Sequence, residues 1–188
     1  IDEAGRLMGE QLYPTQTLCM DTQQALAYYT PLEWGPWNRL IRAEVHRNIS
    51  FPNYRIHEDE AIKFRLLERC RIVVQAADST YFYRQRANSI TASNIDRSDM
   101  FYSRSENLRY LRQSHPVLVP LFLPKVCEDA ILNLSILNRN GFTEDDRRIS
   151  DILDFLRTNR REIMACQYVT KSQKLRCMVI TCSNWKKK

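Results

Sequence analysis

Ile62, Leu66 and Cys70 recur four residues apart, with Leu67 beside them and charged side chains between. That spacing lines the apolar groups along one stripe of a helix of about 11 residues, and such a stripe needs a core to cover it. The helix is expected to start at the acidic tetrapeptide His57-Glu58-Asp59-Glu60. After it, Arg71-Ile72-Val73-Val74-Gln75-Ala76 reads as a β-branched strand, Asp78-Ser79 as a turn, and Thr80 to Arg86 as a second, aromatic-rich strand. A helix and two strands in that order bring the strand ends toward one edge.

Upstream, a strand is expected near Thr17-Leu18-Cys19-Met20. Asp21 then caps a two-turn helix over residues 22–29, and Pro31 stops it. Gly35-Pro36 breaks the chain, Arg42 to Arg47 resumes a helical pattern, and Phe51-Pro52-Asn53-Tyr54 turns it. Beyond Ser93 only helices are expected, at about 101–114, 125–140, 144–165 and 170–184. The third opens on a capping box, Thr143-Glu144-Asp145-Asp146. The pattern divides the chain near residue 95, into a mixed part (1–94) and a helical extension (95–188).

With 188 residues, 44% of them hydrophobic, a sizeable core is within reach. Four glycines and no GxGxxG or GxxxxGK[ST] pattern exclude a glycine-rich phosphate cradle. Six cysteines without a CxxC pair, and three histidines without an HxxxH spacing, favour reduced thiols over a disulfide framework or a zinc site. The net charge of +6 is unevenly placed: from Arg157 onward nine Lys or Arg face the single acid Glu162, so that segment carries +8 and residues 1–156 carry −2. A basic end on a mildly acidic body fits an acidic lipid surface better than nucleic acid, which calls for a basic face on the body. No apolar run reaches the 18 residues a membrane span needs.

Three groups carry candidate chemistry. Carboxylates in a helix's first turn are favoured by its dipole, by about 0.3–1 kcal/mol each, and that alone would account for Glu58 and Asp59. A carboxylate at an element's end can also take a proton from an attacking hydroxyl. Arg84 and Arg86, two apart on a strand, would share a face and match the oxygens of a diphosphate, with Asn88 and Ser89 adding polar groups; a solvated edge strand is the plainer reading. Trp34 and Trp37 could be buried, or could present a flat face to a sugar ring.

Taken in order, Trp37-Asn38-Arg39-Leu40, Phe51-Pro52, Glu58-Asp59-Glu60, Tyr81-Phe82-Tyr83-Arg84-Gln85-Arg86 and Asn88-Ser89-Ile90-Thr91, the chain resembles family 2 glycosyltransferases of the A-type fold, of the kind that build bacterial surface polysaccharides. The likeness covers residues 20–93 well and the helical remainder only in general character. It implies an α/β fold, reduced in this chain to α+β with a small sheet, and inverting transfer of a sugar from a nucleoside diphosphate sugar to a glycan or lipid-linked acceptor. Asp59, with Glu58 beside it, would be the catalytic base. Arg84, Arg86 and Ser89 would face the diphosphate, and Trp37 and Asn38 would border the acceptor. Such enzymes carry a nucleotide-binding half ending in an Asp-x-Asp motif and use a divalent cation, Mg or Mn. Nothing before Asp21 supplies that half, so the cation's ligands are expected outside this chain. The chain is then expected to be the acceptor-side portion of a longer enzyme, inactive alone, cytoplasmic, and in peripheral contact with the inner face of the plasma membrane through its basic end. The rival classes are a binding or scaffold module without chemistry and a helical nucleic-acid binder, the second disfavoured by the charge distribution.

Overall fold

The computed structural model describes residues 16–32, 35–54, 56–77 and 96–182, together with Ala4, Arg6, Tyr81, Phe82 and Arg84. Strand β1 (Leu18–Asp21) runs directly into helix α1 (Thr22–Tyr29), followed by a 3₁₀ turn at Pro36–Asn38 and a single helical turn, α2 (Ala43–His46). A second 3₁₀ turn, Glu60–Ile62, leads into α3 (Lys63–Arg69), and strand β2 (Ile72–Gln75) follows. The helical remainder comprises α4 (Ser98–Ser114), α5 (Val119–Arg139), α6 (Arg147–Thr158), α7 (Arg160–Ala165) and α8 (Lys171–Cys182). Among the described residues the architecture is mostly helical, with one small antiparallel sheet.

That sheet pairs β1 with β2, Leu18 opposite Gln75 and Asp21 opposite Ile72. The partner of Ile72–Gln75 is therefore the strand at the start of the chain. Of the strand expected over residues 80–86, Tyr81, Phe82 and Arg84 are irregular and the rest lie outside the described residues. Asp21 caps α1 as expected: its carboxylate accepts from the Gln24 amide at 2.9 Å, and the Gln24 side chain accepts from the Asp21 amide at 3.0 Å, which satisfies two donors that a helix start leaves open.

One apolar core runs from Met20, Leu26 and Tyr29 through Ile62, Phe64 and Leu67 to Leu108, Phe122, Leu134, Ile152, Ile163 and Cys177. Phe64 on α3 meets Phe122 on α5 edge to face at 5.2 Å, and Phe101 on α4 meets Phe155 on α6 at 5.4 Å. The boundary expected near residue 95 falls among residues outside the described ones, and the core is continuous on either side of it.

Helices α5 to α7 depart from their expected limits for identifiable reasons. Helix α5 starts at Val119 rather than 125 and contains Pro124. A proline removes the amide that would bond the carbonyl four residues back; here that carbonyl, on Pro120, accepts instead from the Cys166 thiol at 3.4 Å. The cap of α6 is Asp146, whose carboxylate accepts from the Arg148 amide at 2.9 Å, three residues beyond the expected Thr143. The helix expected over 144–165 is divided at Asn159, whose side-chain amide donates to the Phe155 carbonyl at 2.7 Å.

Candidate functional site

The acidic tetrapeptide forms a tight turn. His57 takes a left-handed backbone with φ of 62°, a conformation that costs a side-chain-bearing residue roughly 1–3 kcal/mol and persists only where its surroundings hold it. Glu58 and Asp59 are half-buried. Asp59 caps the 3₁₀ turn, its Oδ1 accepting from the Glu60 amide at 2.9 Å. Glu60, by contrast, points inward and is 1% exposed.

Behind the turn lies a buried charge cluster. Lys63 Nζ, wholly buried, donates to Glu60 Oε1 at 3.2 Å and to the Leu32 carbonyl at 3.0 Å. Arg104 on α4 places Nε 3.6 Å from Glu60 Oε1, and its Nη1 donates to Asp129 Oδ2 on α5 at 2.7 Å. Glu60 Oε2 is buried with no hydrogen-bond partner. Two cations and two anions keep the cluster neutral, which is what makes such burial tolerable. Burial lowers the Lys63 pKa, and the Glu60 carboxylate pulls it back upward. The rings of Phe64 and Phe122 lie 5.0 and 5.5 Å from the ammonium, giving it two aromatic faces.

Helix α4 also reaches the backbone of the turn. Ser103 Oγ donates to the His57 carbonyl at 2.8 Å, and Asn107 Nδ2 donates to the Glu60 carbonyl at 2.6 Å. The backbone of the acidic turn is thus held on both sides of Glu58-Asp59. Local periodicity places Lys63 on the same helical stripe as Glu60 and Leu67, and a lysine in a stripe of buried residues is a readable signal. The participation of Ser103, Arg104, Asn107 and Asp129 has no local signal, because it depends on tertiary packing 40 or more residues away in sequence from Glu60.

The aromatic group is assembled separately. Trp37, half exposed, packs on Tyr81 with ring centroids 5.0 Å apart, so the Trp37-Asn38 turn lies against the segment that carries Arg84. Gly35 sits beneath the indole: a Cβ there would stand 2.5 Å from Trp37 Cε2 and Nε1. Asn38 and Arg84 are exposed. The Arg39 guanidinium lies 4.8 Å over the Tyr29 ring, whose hydroxyl donates to Gln75 at 2.6 Å. Tyr29 and Leu32 form the end of α1 and its exit, so the Lys63–Leu32 bond ties the acidic turn to the element that supports Arg39. Trp34, Arg86, Asn88 and Ser89 lie outside the described residues.

Among the described residues no three His, Cys, Asp or Glu side chains gather as a cation would require. All six cysteines are free thiols, and Cys127, Cys166 and Cys177 are buried; burial raises the pKa of Cys127 and Cys177, which keeps those thiols protonated and unreactive. No helix among the described residues is long and apolar enough to cross a membrane. Comparison of the chain with protein-family models, curated proteins and solved structures returns no match.

Proposed function

We propose that this chain is the acceptor-side part of an inverting glycosyltransferase of family 2, with the A-type fold, acting on a nucleoside diphosphate sugar and a glycan or lipid-linked acceptor. The observation that carries this reading is the ordered set Trp37-Asn38, Glu58-Asp59, Tyr81 to Arg86 and Ser89. Two further facts support it. Trp37 and Tyr81, from the first and third members of the set, share a ring contact. Asp59 sits in a half-buried turn whose neighbour Glu60 is turned inward, leaving the two carboxylates different tasks.

In the proposed reaction the acceptor hydroxyl attacks the anomeric carbon as Asp59 takes its proton. The new C–O bond forms on the face opposite the leaving group, the bond to the diphosphate breaks with its electron pair, and the configuration inverts. Arg84, Arg86 and Ser89 are assigned to the departing diphosphate, where fixed cations and donors stabilise growing charge. Trp37 and Asn38 are assigned to the acceptor, and Glu58 to support of the base. A divalent cation, Mg or Mn, would share the charge stabilisation from ligands beyond the residues assigned here. The proposal places the enzyme in the cytoplasm, with the basic end of the chain against the inner face of the plasma membrane.

The test is a transfer assay on the complete gene product, with a panel of nucleoside diphosphate sugars and glycan acceptors, comparing wild type with Asp59→Asn. A loss of about 10²- to 10⁴-fold with donor affinity unchanged is expected. Transfer by the Asn variant at the wild-type rate removes Asp59 from the mechanism. Glycan binding with no transfer by wild type would establish a binding module instead.

A further inference from the structure

We infer that helix α4 sets the position of the catalytic turn, with Ser103 and Asn107 as positioning residues for Asp59. The inference rests on the glycosyltransferase reading for its catalytic consequence, but the contacts stand independently of it. Ser103 and Asn107 are four apart on one helix, so their side chains lie one above the other on the same face. Ser103 is fully buried and Asn107 is 2% exposed. The first donates to the carbonyl of His57 and the second to the carbonyl of Glu60, at 2.8 and 2.6 Å. These two carbonyls flank Glu58-Asp59. The Arg104 guanidinium between them faces the Glu60 carboxylate and anchors on Asp129 of α5.

The helix is itself fixed at its entry. Asn133 of α5 accepts from the Arg97 amide and donates to the Arg97 carbonyl, both at 3.1 Å. Asp96 accepts from the Ser98 amide at 2.9 Å and pairs with Arg148 of α6. The left-handed His57 needs restraint from outside its own loop, and the Ser103 hydroxyl supplies it at the carbonyl of that residue. A base must sit within hydrogen-bond reach of the proton it removes, and small displacements of a reacting group cost orders of magnitude in rate. Side chains of the helical extension thus aim a carboxylate that lies about 45 residues earlier in the chain.

The experiment compares the complete protein with Ser103→Ala, Asn107→Leu and the conservative Ser103→Thr, which keeps the hydroxyl. Two readouts are taken. The first is exchange of the Glu60 amide, which the Asp59 carboxylate caps, measured against amides in the middle of α5. The second is kcat and the donor KM. Faster Glu60 exchange, by tenfold or more, in Ser103→Ala and Asn107→Leu with α5 exchange unchanged is expected, together with kcat lowered at least tenfold, KM within twofold and recovery in Ser103→Thr. Equal acceleration of exchange at Glu60 and in α5 means that the two side chains only stabilise the fold, and overturns the inference. Unchanged Glu60 exchange overturns it as well. If Asn107→Leu does not fold, Ser103→Ala alone decides by the same criteria. A wild type that transfers no sugar removes the catalytic reading, and the exchange result then still decides whether α4 holds the turn.

Discussion

Glu60 and Lys63 face each other at 3.2 Å with 1% and 0% of their side chains exposed, one helical turn apart at the base of the acidic turn. Two charges buried side by side are costly unless each is matched, and here Arg104 and Asp129 extend the match to four groups. Removing one member leaves its partner buried and under-compensated.

Lys63→Met should therefore destabilise the fold by about 3 kcal/mol, the lower end for breaking a buried pair because Arg104 still faces Glu60. The double variant Lys63→Met with Glu60→Leu should recover most of that loss, since an apolar pair of similar volume no longer carries a desolvated charge. Urea denaturation of the three proteins measures both numbers. A single variant as stable as wild type would show that the pair contributes nothing.

Gly35→Ala should displace the Trp37 indole. The glycine has φ of −147°, which any residue adopts, so the constraint is purely one of space: the added methyl would stand 2.5 Å from the ring. Because Trp37 is half exposed, the ring can swing out at a stability cost of about 1 kcal/mol or less. The contact with Tyr81 would be lost, and with it the flat surface assigned to the acceptor. The indole N–H resonance should shift and acceptor KM should rise about tenfold with donor KM unchanged; an unmoved resonance would mean that the backbone yields instead.

Local rules carried the fold as far as local chemistry reaches. The Asp21 cap, the stripe of Ile62, Leu66 and Leu67 and the short strand at Ile72 can be read because the deciding interactions lie within a few residues. Three features could not be read that way. The helix expected from about residue 125 begins at Val119 and runs through Pro124, and the Pro120 carbonyl that this proline leaves without an amide meets the Cys166 thiol, 46 residues on. Asp146 prevailed over Thr143 as the α6 cap in a position where Arg148 also grips its carboxylate, at 2.8 and 2.6 Å. Asp59 and Glu60 look equivalent in sequence, yet one caps a turn and the other is buried, a choice made by Lys63 and by the arrival of α4.

Stability should depend on Asp96 in acid. Burial alone would raise the pKa of this carboxyl, but hydrogen bonds from Ser98 and the Arg148 guanidinium outweigh it and hold it below the ordinary carboxylate value. With the folded pKa depressed, the contribution is complete above the unfolded-chain value of about 3.9 and is lost as the pH falls through the folded value. The side chain is 34% exposed, so solvent screening reduces the effect to about 1 kcal/mol. Asp96→Asn should be less stable than wild type at pH 7 by that amount, and the gap should close below about pH 4. Urea melts at pH 7, 5, 4 and 3 would show it, and a gap independent of pH would rule out the Asp96–Arg148 pair as its source.

Membrane contact should depend on the outer face of α8, not on the whole basic end. Cys177 and Ile180 are 0% and 7% exposed and belong to the core, as do Ile163 and Val169, so removing everything after Asn159 would strip the core and report unfolding. Leu175 and Val179, one turn apart on the other side, are 59% and 58% exposed, and Lys171 and Arg176 are exposed beside them. An apolar pair flanked by cations suits the headgroup layer of an anionic bilayer, where each Lys or Arg contributes about 1 kcal/mol. Leu175→Gln with Val179→Gln should leave the fold intact and reduce sedimentation with phosphatidylserine vesicles about tenfold. Lys171→Gln with Arg176→Gln should remove about 2 kcal/mol of the same binding, roughly thirtyfold, and this charge change should not matter for neutral vesicles. Binding that survives both pairs of substitutions would mean that this face does not meet a membrane.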